Sequence, residues 1–208
     1  MSTARQTGSP RKFPIVPVIF GAVAVAVIVT IILTFQSGGT AAGEYGAPTV
    51  TGEALSPFGD GADPATGLMA PSVSGEDFAG NAVEIANDGR PKMITLLAHW
   101  CSHCQAAVPV VQAWFEAGLL PEGVDLVSVI TGTDASRDNY PPSAWLEREG
   151  WTVPVIVDDE ANTVGNAYGL TAFPFWVFVH ADGTVAARTT GELAPETLTQ
   201  VAESLASE

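Results

Sequence analysis

Ala98-His99-Trp100-Cys101-Ser102-His103-Cys104 holds both cysteines of the 208-residue chain, three positions apart and directly behind the apolar run Met93–Leu97. The run, with Ala98, reads as a buried strand. Ser102–Ala117 reads as a helix, with Ala106, Val110, Ala113 and Ala117 or Trp114 at helical spacing. A strand feeding a helix puts Cys101 at the helix N-terminus and Cys104 one turn inside it, on the same face. Unpaired N–H groups and the positive end of the helix dipole favour thiolate over thiol there, which makes Cys101 the candidate nucleophile. Cys104 is then placed to attack a mixed disulfide formed at Cys101 and to close the Cys101–Cys104 bond. Pro109 falls inside this helix and predicts a kink.

Two blander readings of the pair carry less weight. A structural bridge across so short a gap removes little entropy from the unfolded chain. A zinc site draws on a second Cys-x-x-Cys or a matching histidine pair, and no third cysteine exists. His99, His103 and His180 leave one alternative of a different class, a copper or zinc carrier built on the two thiols, since soft thiolates suit Cu(I).

Upstream of the dithiol the chain changes character. Ile15–Phe35 is 21 residues without a charge, and at about 1.5 Å per residue it reaches the roughly 30 Å of a bilayer core. Arg5, Arg11 and Lys12 precede it and no acid does, so the positive-inside rule puts residues 1–14 in the cytoplasm, 15–36 in the membrane and the rest outside. A signal peptide cleaved near Gly39-Thr40-Ala41-Ala42 is the competing reading, although an apolar core of 21 exceeds the usual length. Beyond the segment, five basic residues face 23 acidic ones, a formal charge of −18. Such a surface argues against nucleic acid and against docking on anionic lipid. Residues 37–70 are rich in Gly, Ala, Pro, Ser and Thr with no sustained apolar period, which predicts a flexible tether.

From Pro71 to the C-terminus the pattern is globular. Ala82–Ile85, Val124–Ile130, Val153–Val157, Phe175–Val179 and Thr184–Arg188 read as strands, the last two joined by the turn Ala181-Asp182-Gly183. Ser143–Glu149, Ala161–Tyr168 and Pro195–Leu205 read as helices. Alternating βα units followed by a hairpin and a closing helix predict an α/β domain over 71–208, a central mixed sheet with helices on both faces. Trp114, Trp145, Trp151 and Trp176 are assigned to packing.

Ala70-Pro71, Asp88-Gly89-Arg90-Pro91-Lys92, Trp100-Cys101-Ser102-His103-Cys104 with Pro109 five residues on, and Tyr168-Gly169-Leu170-Thr171-Ala172-Phe173-Pro174 together resemble thioredoxin-fold proteins. The likeness is to the membrane-anchored extracytoplasmic group called TlpA/ResA-like, and it spans about two-thirds of the chain. It implies a thioredoxin-like fold after one transmembrane helix and a protein disulfide oxidoreductase with no cofactor. Cys101 and Cys104 would be the catalytic pair, exchanging with cysteine-containing protein substrates and a redox partner. It also implies a cis Phe173–Pro174 bond facing the dithiol, with Trp100, Phe173 and Pro174 contacting the partner chain. His103, at the second position between the cysteines, resembles the oxidising relatives, where it stabilises the first thiolate; the TlpA/ResA likeness points instead to a reductant. Reducing thioredoxins bury an acid six residues before the first cysteine, and here Thr95 stands there. Glu116 and Glu149 are left as candidate proton acceptors for Cys104. His99 reads either as a second influence on the thiol or as a polar cover over the site.

Overall fold

Every residue of Lys92–Leu97 is buried. The computed structural model, which describes residues 44–207, places this strand at the centre of the main sheet. In chain order the strands are β1 (Thr49–Thr51), β2 (Ser72–Glu76), β3 (Ala82–Ile85), β4 (Lys92–Leu97), β5 (Asp125–Ile130), β6 (Val155–Val157), β7 (Phe175–Val179) and β8 (Val185–Thr190). The helices are α1 (Ser102–Glu116), α2 (Pro142–Arg148), α3 (Thr163–Ala167) and α4 (Pro195–Ala206). The main sheet runs β6-β5-β4-β7-β8, and β1-β2-β3 form a second, antiparallel sheet. β4 pairs parallel with β5 and antiparallel with β7, so the sheet is mixed. A continuous apolar run is what a strand covered on both faces requires.

Alternation along β4 sorts the two cores. Ile94 and Leu96 join Val127, Val129, Phe175, Val177 and Tyr168 on one face. Met93 turns to the other face, with Leu126, Trp176 and Phe178 against Val111 and Trp114 of α1 and Leu198, Ala202 and Leu205 of α4. Each fully buried aliphatic or aromatic side chain of this kind contributes about 1.5–3 kcal/mol relative to exposure. Trp114 also donates its indole N–H to Thr199 Oγ1 at 2.9 Å, tying α1 to α4. Trp114, Trp145 and Trp176 are buried, and Trp151 packs partly buried beside them.

The tether expected over residues 37–70 is corrected wherever it falls among the described residues. β1 pairs with β2 in the register Thr49↔Ser74, Leu55 and Ala65 are buried, and the N–H groups of Leu55 and Phe58 donate to the Ala167 and Gly169 carbonyls at 2.8 and 2.9 Å. Arg188, fully buried, forks onto Asp63 and also donates to the Ser56 and Tyr168 carbonyls at 2.9 and 2.8 Å. The segment therefore wraps the domain. It is held by backbone hydrogen bonds and one buried ion pair rather than by an apolar stripe, so no hydrophobic period announces it. Gly169 makes the close approach possible: its φ is +71°, and a Cβ there would collide with the Ser56 carbonyl.

The proposed cytoplasmic residues 1–14 and anchor 15–36 lie outside the described residues. Among those described, no helix is long and apolar enough to cross a membrane.

Candidate functional site

β4 ends at Leu97, and the chain turns through Ala98-His99-Trp100 into α1. Cys101 is the N-cap of that helix, with extended backbone angles, and its N–H donates to the Ala98 carbonyl at 3.1 Å. Cys104 lies one turn on, without exposure, and its sulfur accepts the Ala98 N–H at 3.5 Å. Cys101 retains a narrow opening to solvent, 9% of its surface. Both are free thiols, so the geometry is that of the reduced dithiol. Burial, followed by the neighbouring Cys101, pushes the Cys104 thiol well above the ordinary cysteine range, opposed only by the Ala98 N–H. The two sulfurs therefore differ in access, Cys101 reaching solvent and Cys104 not.

The opposite wall comes from the segment entering β7. The Phe173–Pro174 bond is cis, and the Phe173 carbonyl accepts the Cys101 S–H at 3.7 Å. Phe173 meets Trp100 edge to face with ring centres 5.7 Å apart, a favoured aromatic geometry. Trp100 is fixed on its other side by donating Nε1–H to the Gly132 carbonyl at 2.7 Å. Gly132 is itself held, its N–H bonded to Asn162 Oδ1 at 2.7 Å. Arg137 lies over the Trp100 ring, 4.3 Å from its centre. The structure thus brings Trp100, Cys101, Cys104, Phe173 and Pro174 together, while His103 stands at the rim with Nδ1 2.8 Å from Glu192 Oε1.

His99 is neither a cover nor exposed to the thiols' solvent. Its ring is buried, Nδ1 is 2.7 Å from the Asp138 carbonyl and Nε2 accepts the Asp134 N–H at 3.2 Å. It fastens the loop 131–141 beside the site. Burial holds its pKa below the ordinary histidine value, opposed by the Asp138 carbonyl. Thr95 is buried and its hydroxyl has no hydrogen-bond partner. Glu116 ends α1, twelve positions beyond Cys104 and so about 18 Å away along the axis; there it accepts a bond from Gln112. Glu149 caps α2. The carboxylate whose charge bears on Cys104 is Glu192. Sequence spacing could not have found it, since 89 positions separate it from His103. Arg137 and Asn162 also lie in loops with no motif of their own.

With the dithiol at the start of α1, just after β4, and the cis-proline immediately before β7, the hydrogen-bonded neighbour of β4, the protein falls in the class of thioredoxin-fold thiol–disulfide oxidoreductases. Within that class the chain belongs to the Redoxin family, whose profile matches residues 65–205. It is 25% identical over 142 residues to the thiol-disulfide oxidoreductase ResA of Geobacillus thermodenitrificans, covering 68% of this chain and 78% of that one. Among solved structures, StoA from Bacillus subtilis aligns with a TM-score of 0.55 at 20% identity, covering 66% of this chain and 98% of that one. A secreted Mycobacterium tuberculosis disulfide oxidoreductase, homologous to E. coli DsbE, aligns at 0.52 and 19%, covering 69% and 100%. At those identities the structural neighbours speak for the fold.

Proposed function

We propose that this oxidoreductase works outside the cytoplasm, held at the membrane by residues 15–36, and exchanges its Cys101–Cys104 disulfide or dithiol with cysteine-containing proteins. The observation that carries the site assignment is the placing of Cys101 on the helix cap, its sulfur 3.7 Å from the carbonyl that precedes the cis-proline. For the location, the support is the uncharged 21-residue segment with basic residues before it and only acids and few bases after it. A solitary cysteine pair in an oxidising compartment is suited to cycling with other proteins.

In the reducing direction, the Cys101 thiolate attacks one sulfur of a substrate disulfide, and the other substrate sulfur leaves as a thiolate. The mixed disulfide forms where the Phe173 carbonyl and the Trp100 and Phe173 rings meet the incoming chain. Cys104 then loses its proton and attacks Cys101 Sγ. This breaks the intermolecular bond, releases the second substrate sulfur and closes Cys101–Cys104. Two electrons pass to the substrate, and the two thiol protons end on its two sulfurs. The oxidising direction is the same path reversed. Burial of Cys104 keeps it protonated until Cys101 is engaged, so the first attack comes from Cys101.

The metal-carrier reading finds less support. The ring nitrogens of His99 are committed to the loop 131–141, His103 is paired with Glu192, and among the described residues no three Cys, His, Asp or Glu side chains are grouped to hold an ion.

The test is a Cys104→Ala variant of the full chain mixed with oxidised insulin. A mixed disulfide through Cys101 is expected to accumulate, and Cys101→Ser to abolish both it and insulin reduction by the wild type. If no mixed disulfide forms and the reduced protein instead takes up one equivalent of Cu(I) tightly, the exchange reading fails.

A further inference from the structure

His103 stands where an imidazolium would stabilise the Cys101 thiolate and make the disulfide a stronger oxidant. The structure turns it elsewhere: the ring Nδ1 is 2.8 Å from Glu192 Oε1. The groups meeting Cys101 Sγ are the Phe173 carbonyl and the Cys104 thiol. Glu192 is not a loose surface acid. Gly191, with φ +94°, donates its N–H to the Pro174 carbonyl at 2.8 Å. On the other side Leu193 packs against the core beneath α1 and α4. The carboxylate is therefore delivered to the rim by backbone anchored to the cis-proline itself.

We propose that Glu192 is a positioning residue that holds His103 away from Cys101 and offsets its charge, setting the dithiol towards the reducing side. This rests on the exchange reading and supplies its direction. Two effects act with the same sign. A carboxylate held near the dithiol disfavours the thiolate of the reduced form, and an imidazole paired with that carboxylate is withheld from Cys101. Removing Glu192 lifts both.

The test is the equilibrium of the full chain with reduced and oxidised glutathione, for wild type, Glu192→Gln, His103→Gln and the double variant. Glu192→Gln is expected to shift the equilibrium constant about fivefold towards the dithiol, equivalent to roughly 20 mV for a two-electron couple. In the His103→Gln background the same change is expected to give a smaller shift in the same direction, the part owed to the carboxylate alone. The proposal is overturned if Glu192→Gln leaves the constant unchanged or makes the protein more reducing, or if the full shift persists without His103. Because both side chains are largely exposed, equal melting temperatures are expected, and a potential that moves while the melting temperature does not separates this role from a structural one. The measurement needs only the cysteine pair, so it stands even if the insulin experiment overturns the exchange reading.

Discussion

Both ring nitrogens of His99 are occupied, Nδ1 at the Asp138 carbonyl and Nε2 at the Asp134 N–H. Because Nε2 accepts from a backbone N–H, the ring is neutral with its proton on Nδ1. Protonation would set two donors against each other. Burial lowers the folded-state pKa, while in the unfolded chain the ring takes its ordinary value. Above about pH 6.5 both states are neutral and the full stability is present. As pH falls below that value the unfolded chain binds a proton first, and stability declines. The Asp134 and Glu44 carboxylates and the Arg137 guanidinium act on the same ring with opposing signs, and burial outweighs them. A His99→Asn variant is therefore expected to melt below wild type at pH 7.5, with the gap narrowing as pH falls below about 6.5. Calorimetry across that range checks it. The identity of position 99 was legible in the sequence, but its task was not, because both partners lie on a loop about 35 residues downstream.

At the scale of elements, β4 was legible from its largely apolar run and α1 from the helical spacing that follows the cysteines, but the face read for α1 was wrong: Ala106, Val110, Ala113 and Ala117 are exposed, and of that stripe only Trp114 is buried, beside Ala107, Val108 and Val111. The other strands and helices read after Pro71 follow the same logic, whereas β2, Ser-Val-Ser-Gly-Glu with one buried side chain, carries no apolar period and was not legible. What periodicity cannot show is how loops fix a site wall. Asn162, in the left-handed region at φ 57°, holds the Gly132 N–H, and Gly132 holds Trp100. Gly132 has φ +64°, and a Cβ there would come to 3.2 Å from Phe173 Cζ. Gly132→Ala must bear a left-handed alanine, about 1–2 kcal/mol, and must also push Phe173. The variant is expected to lower the melting temperature and to slow insulin reduction several-fold, with Trp100 fluorescence reporting the displaced ring. Unchanged turnover would separate the Gly132 turn from the exchange site. The cis Tyr140–Pro141 bond near His99 had no more signal than any other proline in a polar loop.

For the whole molecule, the wrapping segment was the part that composition misread. Gly, Pro and Thr with scattered acids look the same whether solvated or laid along a surface. The distinction rests on Arg188, 125 positions away from the acid it meets. Its side chain is fully buried, and Asp63 shows only 10% of its own. Asp63→Ala leaves that guanidinium buried and unpaired, an arrangement that costs about 3–5 kcal/mol, and chemical denaturation is expected to show a loss of that order. The hydrogen bonds from Arg188 hold the Asp63 carboxyl below the usual carboxylate range against the opposing effect of burial. Its contribution is thus present above about pH 4 and fades as acid protonates it. The register Leu96↔Phe175 joins the strand that leads to the dithiol to the strand that follows the cis-proline, side by side in one ladder. The two walls of the exchange site are thus carried just beyond the ends of neighbouring, hydrogen-bonded strands. Their spacing is referred to the central ladder of the sheet, so an incoming chain meets a gap whose width is set by the protein's core rather than by two independent loops.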